Sequence, residues 1–393
     1  MFGLAEYAIR LLGRYGALAG FVVMAALSIG LLIVFLRSGV RPSSTMTSTA
    51  FAFTIAIIGA AALAKPALEA TMQIRRAIIG PAIPAPSGPL AITDQDIVLS
   101  APGAAPIEAH LWRPADAARA PHRLVLYAPG LGGTRLQNAL LAAELASHGY
   151  VVLAIDDLSQ NPAPPGEGHE AAAIREGRFD YSTEAAYEAS LSRGDARAAL
   201  YAERARDALD RFSAIASAPD ALWGAIDTSR VVFLGYSFGA AAGAELAHDD
   251  PRITALINLD GALYGAAARE GVSQPYLLIL SDMRSRLPVP QAWRRSLEYR
   301  LIAREFEAAA AQARRPYNEI LEVRLAPHAA FADAYFEPRW HWRDWLLLDP
   351  QRAYAIVHDR VLAFLQLYAP HGGPVATSPQ HFDEVLELEG RPA

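Results

Sequence analysis

Arg230-Val231-Val232-Phe233-Leu234-Gly235-Tyr236-Ser237-Phe238-Gly239-Ala240-Ala241-Ala242-Gly243 is the stretch that decides how this chain folds. An apolar β-like run meets Gly-x-Ser-x-Gly, and small helix-forming residues follow at once. That order predicts a buried strand, a sharp turn and a helix, with the serine hydroxyl displayed at the turn. Both flanking glycines are required, because a Cβ at either position would clash in so tight a bend. Gly-x-Ser-x-Gly alone is a common chance pattern and often only a structural turn. The strand before it and the alanine-rich run after it make Ser237 a candidate nucleophile.

On either side of this turn, short β-like runs alternate with helical stretches. Ala91–Leu99 and Ile107–Trp112 read as an antiparallel opening hairpin. His122–Ala128, Val151–Asp156, Arg230–Leu234, Ile253–Leu259, Tyr276–Leu280 and Glu319–Leu325 read as further strands. Helices are predicted at Leu136–Ser147, Ala199–Ala216, Ala240–His248, Gln291–Ala313 and Arg352–Tyr368. Strands alternating with helices imply an α/β domain, with a mostly parallel sheet covered on both faces. Two regions break the rhythm: the Pro/Gly loop Asn161–His169 with the polar helical stretch Glu170–Ala198, and the arginine-rich insertion Leu287–Tyr317. Each reads either as an exposed solvated helix or as a cap near the site.

A serine at neutral pH needs a base. In a strand-turn-helix site of this kind the chain order is Ser, acid, His. After Ser237 come His248, His328, His341, His358, His371 and His381. His328 directly follows the last predicted strand, in Leu325-Ala326-Pro327-His328, where a base descends onto the turn. His248 lies on the helix that follows Ser237, His341 in an aromatic stretch, His358 inside the last helix, and the other two in a Pro/Gly tail. Two carboxylates compete for the third place. Asp260 ends Ile253–Leu259 and Asp282 follows Tyr276–Leu280, and architecture leaves them even. An oxyanion needs two backbone N–H donors. Phe238, next to the serine, supplies one candidate, and Leu131 in Pro129-Gly130-Leu131-Gly132-Gly133-Thr134-Arg135 the other. This glycine loop lacks the Gly-Lys-Ser/Thr of a phosphate loop.

The chain has 393 residues, 52% apolar and 19% charged, with net charge −6. That length suits one large α/β domain plus an accessory segment. No basic surface argues for nucleic acid. The absence of cysteine excludes disulfides, thiolate metal sites and a cysteine nucleophile. No cofactor is implied.

The apolar excess is concentrated at the N-terminus. Tyr15–Leu36 carries no charge and is long enough to cross a bilayer. A second uncharged stretch runs from Pro42 to Ala64, shorter in its apolar part, and reads as a second span or as a buried or interfacial helix. With both ends inside, Arg10, Arg14, Lys65, Arg75 and Arg76 lie on the inner side and Arg37 and Arg41 in the loop. The positive-inside rule then places the following domain in the cytoplasm, on a bacterial-type inner membrane with a multi-pass anchor. A single crossing would put that domain on the other side. The expected organisation is a membrane anchor at 1–79, a Pro-rich linker at 80–89, the α/β domain at 90–368 and a tail at 369–393.

Taken together, Gly130-Leu131-Gly132 with Arg135, Gly235-Tyr236-Ser237-Phe238-Gly239, Leu259-Asp260-Gly261, and His328 followed by Phe331 and Asp333 resemble the platelet-activating-factor acetylhydrolase family of α/β-hydrolases, close to the dienelactone-hydrolase-like group. The resemblance covers about residues 90–368. It implies the α/β-hydrolase fold, Asp260 as acid, Leu131 and Phe238 as oxyanion donors, no metal, and hydrolysis of short-acyl lipid or phospholipid esters at an interface. The stretch Asp156–His169 departs from the family pattern beside the site, which leaves a general esterase on soluble esters as the alternative. A catalytically silent membrane-binding module is the reading from another class. Oligomeric state is not encoded in any of these patterns.

Overall fold

Four apolar runs, too uniformly hydrophobic to leave one face in water, set the centre of the sheet. They form β3 (His122–Ala128), β4 (Val151–Ile155), β6 (Ile253–Leu259) and β7 (Tyr276–Leu280), buried almost throughout. Strands covered on both faces need no polar alternation. The computed structural model describes residues 83–116, 121–157, 177–217, 226–282, 296–337, 347–370 and 379–387. Both apolar N-terminal stretches, the loop Asn161–His169, His341 and His371 lie outside the described residues. Among the described residues no helix is long and apolar enough to cross a membrane.

β1 (Ile92–Leu99), β2 (Ile107–Pro114), β5 (Ile226–Tyr236), β8 (Asn318–Val323) and β9 (Val385–Glu387) complete a sheet ordered β1-β2-β4-β3-β5-β6-β7-β8-β9. From β4 to β8 all pairings are parallel. The pairs β1–β2, β2–β4 and β8–β9 are antiparallel. Side chains alternate across each strand, so two cores form. On one face Val125 and Tyr127 pack with Leu145 of α1 (Ala139–Ser147) and with Ile356 and Phe364 of α6 (Pro350–Tyr368). On the other, Leu124 and Leu126 pack with Leu209 and Phe212 of α2 (Glu184–Ala216) and Leu246 of α3 (Phe238–Asp249). Each such fully buried Leu or Phe contributes roughly 2 kcal/mol. The short α4 (Gly265–Glu270) and α5 (Leu297–Ala313) lie on this second face through Ala267 and Ala309.

Several boundaries differ from the sequence expectation, each for a local reason. α2 begins at Glu184, where the Thr183 side chain accepts from the Ala186 N–H at 3.1 Å. From Glu184 onward the polar stretch and the helix Ala199–Ala216 are therefore one helix. α6 starts at Pro350, because Asp349 caps the Gln351 and Arg352 amides at 3.0 and 3.3 Å. β5 starts at Ile226, earlier than Arg230. The expected linker is docked at its end: the Ser87 N–H donates to Glu144 at 2.7 Å, and Gly88 and Leu90 donate to Ser147 at 3.0 and 3.1 Å. Burial alone would raise the Glu144 carboxyl, but hydrogen bonds from His148 and from the Ser87 hydroxyl and amide outweigh it and hold the group at about 2. The expected tail contributes β9, and Phe382 enters the core at 3% exposure, so the domain's framework extends past residue 368.

Candidate active site

The parallel strands β5, β6 and β7 bring three turns to one edge of the sheet, and the site is assembled there. At the end of β5 the backbone of Ser237 takes φ 52° and ψ −122°. Its N–H donates to the Leu259 carbonyl at 2.9 Å, which ties the turn to β6. A Cβ on Gly235 would strike the backbone of Ala240, and one on Gly239 the carbonyls of Ala128 and Pro129. Both glycines are therefore needed, as the sequence implied.

The Ser237 hydroxyl lies 2.9 Å from Nε2 of His328. His328 opens a 3₁₀ turn, His328–Phe331, just beyond β8. Its Nδ1 lies 2.6 Å from Oδ2 of Asp260, and the other Asp260 oxygen accepts the Ser281 N–H at 2.7 Å. With the Nδ1 proton donated to Asp260, Nε2 is left as the acceptor facing the serine. Asp260 is 8% exposed and the imidazole 46%, so the carboxylate is enclosed while the ring opens toward solvent. Tyr236 stacks on that ring at 5.0 Å and its hydroxyl donates to the His328 carbonyl at 3.2 Å. Asp260 sits at φ 59°, and the next residue must be glycine, because a Cβ on Gly261 would strike the Ser237 carbonyl. The buried Asn258 side chain bridges this turn, accepting from Gly261 N–H at 2.6 Å and donating to its carbonyl at 2.8 Å.

The rival carboxylate has a different neighbour. Asp282 Oδ2 accepts the Leu325 N–H at 2.7 Å, and the Asp282 N–H donates to Ala326 at 2.9 Å. It shapes the loop that delivers His328, with Leu325 at φ 62°. His248 lies 3.6 Å from Glu270, His358 is buried in α6 with burial holding it down at about 3, and His381 is an exposed neighbour of Asp383.

The glycine loop after β3 is pinned from several sides. Gly130 N–H donates to the Gln137 side chain at 2.8 Å, and Gly132 N–H to the buried Asp157 at 2.7 Å. Asp156 accepts from Arg135 through backbone and guanidinium at 2.7 and 2.6 Å. The intervening Leu131 N–H and the Phe238 N–H have no acceptor among the described residues. Leu131, Phe238, Ser237, Asp260 and His328 line one cavity of about 370 Å³, whose far wall includes Glu305 and Ala308 of α5. The insertion Leu287–Tyr317 thus borders the site through α5.

A clasp joins the two loops. Asn138 donates to the Phe331 carbonyl at 2.6 Å, and Asp333 accepts from Leu140 N–H at 3.0 Å while its own N–H donates to the Gln137 carbonyl at 3.1 Å. Burial raises the Asp333 carboxyl more than the Leu140 and Ala139 amides lower it, leaving it at about 7. Sequence reading missed Asp157, Gln137, Tyr236 and the loop-shaping part of Asp282. The acidic pair after β4 was the one available signal.

A mostly parallel sheet flanked on both faces, with a serine turn after its fifth strand and a histidine loop after its eighth, is the arrangement of the α/β-hydrolase fold. No family model matches the chain. A ferulic acid esterase from Streptomyces cinnamoneus superposes with a TM-score of 0.56 at 21% identity, over 78% of this chain and 99% of that one. Platelet-activating factor acetylhydrolase from Cavia porcellus is 24% identical over 176 residues, 40% of this chain. The chain matches only 40% of that relative's length. The likeness to platelet-activating-factor acetylhydrolases read from the motifs is found again in the sequence comparison, and the superposition on the esterase shows a shared fold.

Proposed function

We propose that this chain is a serine carboxylic-ester hydrolase that works through an acyl-enzyme. The observation that carries the reading is the line Ser237–His328–Asp260, with contacts of 2.9 and 2.6 Å, opening on a cavity shared with the Leu131 and Phe238 amides. Ser237 attacks the ester carbonyl carbon while His328 Nε2 takes the hydroxyl proton. Asp260 holds the ring in the tautomer that accepts it and stabilises the imidazolium. The Leu131 and Phe238 N–H groups receive the developing oxyanion, each worth about 3 kcal/mol of barrier. Collapse breaks the bond to the alcohol, which leaves with the proton from His328. Water, deprotonated by the same histidine, then attacks the acyl-serine and releases the acid.

The substrate we propose is a short-acyl lipid or phospholipid ester. Support comes from the motif resemblance and from the two apolar stretches, read as an anchor at 1–79 that keeps the domain beside a bilayer, on its cytoplasmic face. The solvent-open cavity suits a general esterase on soluble esters equally well. A fluorophosphonate probe tests the chemistry: wild type is expected to label and Ser237→Ala not, with turnover falling at least about 10⁴-fold. Absent labelling would support a silent binding module instead, and equal labelling of both would remove Ser237 as the nucleophile. Acetyl-phospholipid compared with water-soluble short-chain esters tests the substrate, and turnover of the soluble esters alone would remove the lipid reading.

A further inference from the structure

Beside the main cavity a second, smaller cleft of about 60 Å³ shares Leu131, Gly177, Phe238 and Tyr264 with it. The two walls differ in charge. The main cavity carries the carboxylates of Asp260 and Glu305 and, among the described residues, no arginine or lysine. The side cleft carries Arg178, Arg193 and Arg197 and, among the described residues, no carboxylate; Arg197 also has an interaction of its own.

These guanidiniums are placed by the fold. Arg193 and Arg197 are four residues apart on α2 and so share a helix face. Arg193 donates to the Ser190 hydroxyl at 2.7 Å, and Ser190 is itself buried and bonded to the Ala186 carbonyl at 2.8 Å. Arg197 Nη1 lies 3.2 Å from the place a Cβ would take on Gly177, and that same place would strike the Leu131 side chain. One glycine's width therefore separates a guanidinium from the loop that presents the Leu131 N–H. A second glycine, Gly194, leaves room for the Tyr264 ring, which forms the wall between the two spaces. Asp180, outside the cleft wall, is a nearby counter-charge, and it is fully exposed with one oxygen taken by the Ser182 N–H at 2.8 Å.

We propose that this cleft binds an anionic group, a carboxylate or a phosphate, carried by the ester substrate. The inference rests on the hydrolase reading and narrows its substrate class. The space holds a few waters or one small anion rather than an acyl chain. Guanidinium forks suit the oxygens of either anion. An anion seated there keeps the ester carbonyl within reach of Leu131 and Phe238 in the adjoining space.

The test compares kcat/KM for matched pairs. Mono-p-nitrophenyl glutarate against p-nitrophenyl pentanoate reports a carboxylate on the acyl side. Acetylglycerol phosphate against acetylglycerol reports a phosphate on the alcohol side. Wild type is expected to favour the anionic member of at least one pair, and that pair names the source. In Arg193→Gln and Arg197→Gln the anionic-to-neutral ratio should fall about tenfold, through KM, while Arg197→Lys, which keeps the charge and loses the fork, restores only part of it. An unchanged ratio in the glutamine variants, or no preference in wild type, overturns the proposal. Should the chain fail to label with fluorophosphonate, the hydrolase reading falls by itself. Titration calorimetry with glutarate and glycerol phosphate then decides the cleft: binding lost in the glutamine variants supports it, and no binding to wild type overturns it.

Discussion

Two aspartates end adjacent parallel strands, and each sends a carboxylate to the segment that carries His328. Asp260 reaches the ring and Asp282 reaches the backbone of Leu325. Asp260→Asn is therefore expected to cut kcat by about 10³–10⁴-fold, because the wrong tautomer then faces the serine. Asp282→Asn should act on the loop, lowering the melting temperature by a few degrees and kcat by no more than about tenfold. Steady-state kinetics with a thermal melt separates the two, and loss of turnover in Asp282→Asn alone would reverse the assignment. Ser237 and His328 were legible because a turn motif and chain order point to them. The acid was not legible from architecture, because the outcome depends on Asp260 adopting φ 59°, a left-handed conformation that costs about 1 kcal/mol and leaves no mark in a hydrophobic pattern. Asp157 was hidden for a related reason: it acts on the Gly132 amide 25 residues away.

Between the elements, the clasp from α1 to the His328 loop carries a titratable group. Asp333 at about 7 lies above its ordinary 3.8, so the folded chain holds its proton more tightly than the unfolded one between those values. Stability from this group is full below pH 4 and is lost as pH rises through 7. Asp333 keeps a window to solvent, so the loss is expected to be about 1–2 kcal/mol. Urea midpoints at pH 5.5 and 8.0 check this: wild type should weaken over that range and Asp333→Asn should not. Equal pH dependence in both would show that the carboxyl is not the source. The inner strands were readable almost to the residue, since continuous apolar runs need two covers. The first half of α2 was read only as a polar helical stretch, because its burial is sparse, with Tyr187 and Ser190 its inward residues before Ala198. The docked end of the linker was unreadable, since Pro-rich sequence specifies extended backbone and not its partner Glu144.

Across the whole molecule the sheet has two ends, and they are finished differently. β1 leaves its outer edge lined with Asp94, Gln95 and Asp96, all exposed. Charge on an edge strand discourages pairing with another chain. β8 is covered instead by β9, through Leu321 with Glu387 and Val323 with Val385. Arg324 N–H donates to the Glu384 carbonyl at 2.8 Å and Arg352 pairs with the Glu384 side chain at 2.9 Å. Removing residues 370–393 should uncover that edge and the Phe382 site together, costing about 2–3 kcal/mol. A melting temperature lower by roughly 5 °C and earlier light scattering on heating are expected. An unchanged melt would show that the segment does not hold the edge. Three residues without periodicity gave no sequence signal for this strand. Its position also bears on how the domain is made. A growing chain exposes β3 to β8 before residue 385 is made, so the β8 edge stays open until β9 follows it. Through that interval the open edge is available for pairing with another nascent chain, and β9 closes it.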